Sequence, residues 1–150
     1  MQVSEANLKI EWQICCSFLF SQRKATELLK KIAKALGATG DMGLTVHLVL
    51  KKEMILLNRK YRKINQVTDV LSFPLGSFKL PKKIPHLLGD IVICIPKLKE
   101  QAKKNSNSLK NEFELLLVHG FLHLLGFDHE KNRESWEKTL KKLYQKQILS

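Results

Sequence analysis

Apolar and polar positions change period several times along the chain, and each change marks an element. Residues 8–14 alternate, with Leu8, Ile10, Trp12 and Ile14 apolar around polar Lys9, Glu11 and Gln13, which predicts a strand. Over 18–36 the positions Ala25, Leu28, Leu29, Ile32 and Leu36 recur at helical intervals until Gly37 stops the pattern. The glycine-rich stretch 37–43 lacks the Gly-Lys-Ser/Thr ending of a phosphate loop and reads as a turn. Alternation returns over 44–50 as a second strand, and 52–62 reads as a helix through Ile55, Leu56 and Arg59.

Residues 69–75 form a short strand that Pro74 places at an edge or an end. Residues 78–86, with Pro81 and Pro85, read as an irregular loop, and 89–95 as a buried strand because its centre is Ile91, Val92 and Ile93. Pro96 suits the first turn of a helix reaching 104; 105–108 is a turn and cap. A long helix to 125 and a last one over 133–147 complete the pattern. The interleaved periods predict an α+β fold of mixed α/β layers, with a small four-stranded mixed sheet, about five helices, and the long apolar helix central. No repeat or linker interrupts the chain, and 150 residues suit one domain, expected over 1–150.

Charge adds a partner class. The chain carries 26 Lys+Arg against 14 Asp+Glu, a net +12, which points to a polyanion without separating RNA, DNA and membrane surface. The strongest apolar run, 115–127, is too short for a bilayer and contains His119 and His123, so no membrane span is expected. Lys9 and Glu11 break up the N-terminal apolar stretch, against a secretory signal. Adjacent Cys15 and Cys16 with a distant Cys94 make no disulfide framework, and a reduced, cytoplasmic setting is expected.

The sharpest chemical signal is His119-Gly-Phe-Leu-His123-Leu-Leu-Gly126-Phe-Asp128-His129. Four helical residues advance a side chain by about 400°, so His119 and His123 share one face, one turn apart. That spacing lets two imidazoles converge on one zinc ion at roughly 2.0–2.1 Å. Gly126 can end the helix and let His129 approach from a third direction. Three protein ligands leave a fourth position open, the pattern of a catalytic zinc. Two unpaired imidazoles in a helix this apolar would cost free energy, which a shared metal removes. His47 and His86 read as ordinary strand and loop residues. The spacing equals that of metzincin proteases, but Gly120 replaces their general-base glutamate, which weakens a peptide-hydrolase reading. Asp128 either orients a histidine or caps the turn.

This stretch resembles the signature of the YbeY family, bacterial metal-dependent endoribonucleases implicated in ribosomal RNA maturation. Leu57-Asn58-x-x-Tyr61-Arg62 with 68–74 (Thr68-Asp69-Val70-Leu71-Ser72-Phe73-Pro74) resembles the family's central motif, and 88–94 its next strand. The resemblance implies one zinc ion on His119, His123 and His129, a functional Arg62, and a cleft lined by 69–74. It makes Arg62 and His119 the expected catalytic residues and ribosomal RNA the expected partner. Small-subunit proteins or an assembly GTPase would be further partners, with no role for DNA or membrane. Arg62 can fork onto phosphate oxygens, or be a solvated helix-end cation. Arg59 and Lys63 belong to the same basic cluster and are candidate substrate contacts. Thr68 and Ser72 are either substrate contacts or plain turn and strand hydroxyls, and Asp69 either orients Arg62 or caps a turn.

Two stretches depart from the family. Residues 63–67 (Lys63-Ile64-Asn65-Gln66-Val67) replace a common Lys-Asp-x-Pro loop. The last helix, often acidic, is here basic through Lys131, Arg133, Lys138, Lys141, Lys142 and Lys146, as an RNA surface or a solvated face. Other lysine clusters lie at 30–34, 79–83 and 97–104. With aromatics at 7%, recognition is expected to lean on phosphates and RNA shape more than on stacked bases. The competing readings are a non-catalytic RNA- or ribosome-binding factor with structural zinc, and a metzincin-like hydrolase.

Overall fold

A computed structural model describes residues 6–38, 40–75 and 87–149. The elements are β1 (Ala6–Ile14), α1 (Gln22–Ala35), β2 (Gly40–Val49), α2 (Lys51–Arg62), β3 (Val70–Pro74), β4 (Leu87–Cys94), α3 (Ile95–Lys104), α4 (Leu109–Leu124) and α5 (Arg133–Gln145). The four strands form one sheet in the order β1-β2-β4-β3. β1, β2 and β4 are parallel, and β3 runs antiparallel to β4 at the edge. Pro74, which has no N–H to give a ladder, sits on that edge strand as its chemistry requires. The sheet is mixed and the arrangement α+β.

Side-chain alternation divides the core between the two faces. Met42, Leu44, Val46 and Leu48 of β2 and Ile91 and Ile93 of β4 face α1 and α4, in a cluster with Leu29, Ile32, Leu117, Phe121 and Leu122. Val92, Cys94 and Leu71 point the other way and pack with Val49 and Met54 beneath α2. α4 is buried over most of its circumference against this first face, which makes it the central helix. Where α4 meets β4 the approach is very close: a Cβ built on Gly120 would stand 2.8 Å from Ile91 Cγ2.

Two boundaries differ by four residues from the sequence pattern. β2 starts at Gly40 rather than 44, because pairing with β1 from Ala6↔Gly40 onward captures 40–43; a bulge follows at Gly43/Leu44. α1 starts at Gln22 rather than 18, because the Ser21 side chain accepts the Lys24 N–H and caps the helix there. Phe18 and Phe20 instead form an aromatic cluster with Trp12 and Phe113. The three cysteines are free. The irregular loop expected over 78–86, with the lysine cluster at 79–83 and His86, lies outside the described residues. Among the described residues no helix is long and apolar enough to cross a membrane.

Candidate metal centre and cleft

The site is built at the C-terminal end of α4. His119 and His123 lie one turn apart with ring centroids separated by 4.8 Å. Leu125 caps the helix and Gly126 follows at φ +96°, a conformation that suits glycine. The Gly126 N–H donates to His123 O and the Phe127 N–H to Leu122 O, both at 3.0 Å, which is a Schellman closure. This reversal returns His129 to the cluster, 4.9 Å from His119 and 5.4 Å from His123 between ring centroids. Asp128 holds the turn: its Oδ1 accepts the N–H groups of Glu130 and Lys131 at 2.9 and 3.2 Å. Desolvation pushes its carboxyl up, but those two donors and the nearby His123 outweigh it and hold Asp128 below the usual carboxylate range.

The three histidines fit a metal ion. Each offers one ring nitrogen, and these lie within 4.8 Å of one another. His123 Nε2 and His129 Nδ1 are 3.3 Å apart. Nitrogens about 2.0–2.1 Å from a tetrahedral ion would stand about 3.3–3.4 Å apart, so this edge already has the required length. Burial, with His123 and His129 alongside, brings His119 down to about 4, and burial also lowers His123. Neutral imidazoles present lone pairs at neutral pH, as metal ligation needs. Trp136 of α5, 8% exposed, packs 5.0–5.4 Å from all three rings and closes one side of the cluster.

On the open side lies a cleft of about 410 Å³, lined by the three histidines, Arg62 and Tyr61 of α2, residues 70–73 of β3, and Asp128 and Glu130. That volume is in the range of ligand-binding pockets. Arg62 is exposed and enters none of the ion pairs among the described residues. Ser72 faces α4, its hydroxyl donating to Gly120 O at 3.4 Å, and so ties β3 to the helix that carries His119 and His123.

The other candidates stand further out. Asp69 Oδ1 accepts the Val70 N–H at 2.8 Å and the Thr68 hydroxyl at 3.3 Å, so Asp69 caps the entry to β3. Arg59 holds Asn65 Oδ1 from Nη2 at 2.6 Å, and Lys63 ends α2 at φ +60°. The departing 63–67 loop is thus tied down without its proline: Ile64 N–H donates to Asn58 O and Asn58 Nδ2 to Gln66 O. Trp136 and Glu130 gave no signal in the sequence, since a Trp at helical spacing reads as core and a Glu in a polar turn as surface.

A family model described as Endoribonuclease YbeY matches residues 13–150. The chain belongs to the YbeY family. Relatives named Endoribonuclease YbeY include one from Oceanobacillus iheyensis, 40% identical over 126 residues, covering 80% of this chain and 79% of that protein. Another, from Helicobacter pylori, is 47% identical over 107 residues, covering 71% of each. The solution structure of a Thermotoga maritima protein is similar, with a TM-score of 0.54 and 29% identity over 90% of this chain and 87% of that one.

Proposed function

We propose that the chain is a zinc-dependent endoribonuclease that cuts single-stranded segments of ribosomal RNA, in small-subunit maturation and ribosome quality control. One observation supports this reading: the three histidines and Arg62 line a single cleft. The names of the YbeY relatives supply the reaction class. In this reading 1–150 works as one cytoplasmic domain, alongside small-subunit proteins or an assembly GTPase.

His119, His123 and His129 would hold the ion, which supplies Lewis acidity toward a phosphodiester. Arg62, with both guanidinium edges unpaired, receives the phosphate oxygens and stabilises charge that grows on them. Ser72 positions the cleft wall, while Thr68 and Asp69 set the start of β3 rather than touching the phosphate. Arg59 and Lys63 add positive potential near the cleft mouth and draw the strand in. Asp128 keeps His129 in place through its two backbone bonds.

The test measures zinc content and RNA cleavage together in wild type, His119→Ala, His123→Ala and Arg62→Ala. Expected are loss of zinc and cleavage in the histidine variants, and loss of cleavage with zinc retained in Arg62→Ala. Wild type that holds zinc and cleaves no ribosomal RNA would replace this reading by that of a binding factor. Wild type that binds no metal would remove the site assignment.

A further inference from the structure

Phosphate contacts leave open what holds the base of the nucleotide in the cleft. Apart from the histidines, Tyr61 and Phe73 are the aromatic side chains lining the cleft among the described residues. Tyr61 is 55% exposed, although it is a large, largely apolar ring next in sequence to Arg62. Its ring is not loose. Phe73 supports it at 5.0 Å between centroids and 60° between planes, and Phe73 is itself half-buried against the core beneath α2. A side chain with two rotatable torsions, backed by a fixed ring, gives up little entropy when a ligand stacks on it. Lys60 holds its ammonium over the Tyr61 ring, 5.2 Å from the centre, on a flexible stem that an incoming base would displace.

We infer that Tyr61, backed by Phe73, is a stacking platform for an unpaired base of the RNA strand whose phosphate Arg62 holds. The inference rests on the endoribonuclease reading and adds a base-binding element to it. Stacking accepts any base, so the platform favours single strands over duplex, where the faces are already covered, without imposing sequence. It also revises the expectation that recognition leans on phosphate and shape: the aromatics are few, but two of them stand at the cleft.

The test uses single-stranded oligoribonucleotides with 2-aminopurine placed at successive positions, mixed with the zinc-loaded protein and read by stopped-flow fluorescence before cleavage. Quenching at one position is expected with wild type, Tyr61→Phe and Tyr61→Trp. Tyr61→Leu should lose that quenching and bind roughly tenfold to a hundredfold more weakly. An abasic residue at the quenched position should make wild type and Tyr61→Leu bind alike, which a purely structural role for Tyr61 would not produce. Unfolding midpoints and zinc content of each variant report on the fold. The platform is overturned if Tyr61→Leu binds like wild type, or if it weakens abasic RNA as much as intact RNA. Wild type that neither binds nor cleaves RNA would overturn the endoribonuclease reading itself; wild type and Tyr61→Leu cleaving equally would overturn the platform alone.

Discussion

Gly120 stands between the two helical histidines, in the place where metzincins carry a glutamate, and its surroundings give it a packing reason. A mid-helix glycine costs about 1 kcal/mol relative to alanine, so Gly120→Ala ought to stabilise α4 if the site were open. It is not open. The new Cβ would lie 2.8, 3.2 and 3.3 Å from Cγ2, Cγ1 and Cδ1 of Ile91, a side chain with no exposed surface. Overpacking of this kind costs about 1–3 kcal/mol, so the expected net effect is destabilisation by roughly 0–2 kcal/mol. Ile91→Ala alone should cost about 2–5 kcal/mol through the cavity it leaves. In the double variant the alanine Cβ enters that cavity, and the two effects should sum to at least about 1 kcal/mol less than their separate values. Urea unfolding of the four proteins, stripped of metal so that ligation does not mask packing, gives this cycle. A Gly120→Ala protein more stable than wild type by the helix-propensity increment would refute the close approach of α4 to β4. The same geometry predicts that Gly120→Glu unfolds the protein rather than adding a base, because position 120 faces the sheet.

Two further outcomes follow from single groups. Asn58, 2% exposed, donates to Gln66 O at 3.0 Å while its Oδ1 has no partner. Asn58→Ala should cost about 1–2 kcal/mol and speed hydrogen exchange in 63–67, whereas unchanged exchange there would show that the amide does not anchor the loop. His119, held down to about 4 by burial and its two neighbouring imidazoles against an ordinary 6.5, should make the metal-free protein acid-sensitive. Between those values the unfolded chain binds a proton that the folded chain refuses. Its contribution is therefore complete above 6.5 and declines as pH falls toward 4. With screening at this partly exposed ring the loss is roughly 1–2 kcal/mol. Urea midpoints across that window measure it, and a profile no flatter for His119→Gln than for wild type would count against the assignment.

What could be read in the chain followed the range of the interaction that fixes each feature. The i, i+4 histidines, the glycine stop at 126 and the apolar centre of β4 are local consequences of helix pitch, backbone freedom and burial, and all three stand in the fold as the sequence placed them. The edge position of β3 was legible too, because a missing N–H is a property of Pro74 alone. The start of β2 was not: Gly40 and Gly43 are poor strand formers, and parallel pairing with β1 overrides them. The cleft is the extreme case, since Arg62, Ser72 and His129 come from three elements with no shared period.

The same distinction separates two roles that one residue type can carry. Asp69 and Asp128 both sit in the stretches that resemble the family signature, and each reads in the sequence either as an orienter of chemistry or as a cap. Their carboxylates meet backbone N–H groups, Val70 in one case and Glu130 with Lys131 in the other, and neither contact is to Arg62 or to an imidazole. Both therefore act on the backbone that carries functional groups, one at the entry to β3 and one in the turn that returns His129. In the proposed reading the chemistry is left to imidazoles and a guanidinium, groups suited to a cation and an anion respectively. A cleft pairing those two binding modes suits a phosphodiester approached by a metal.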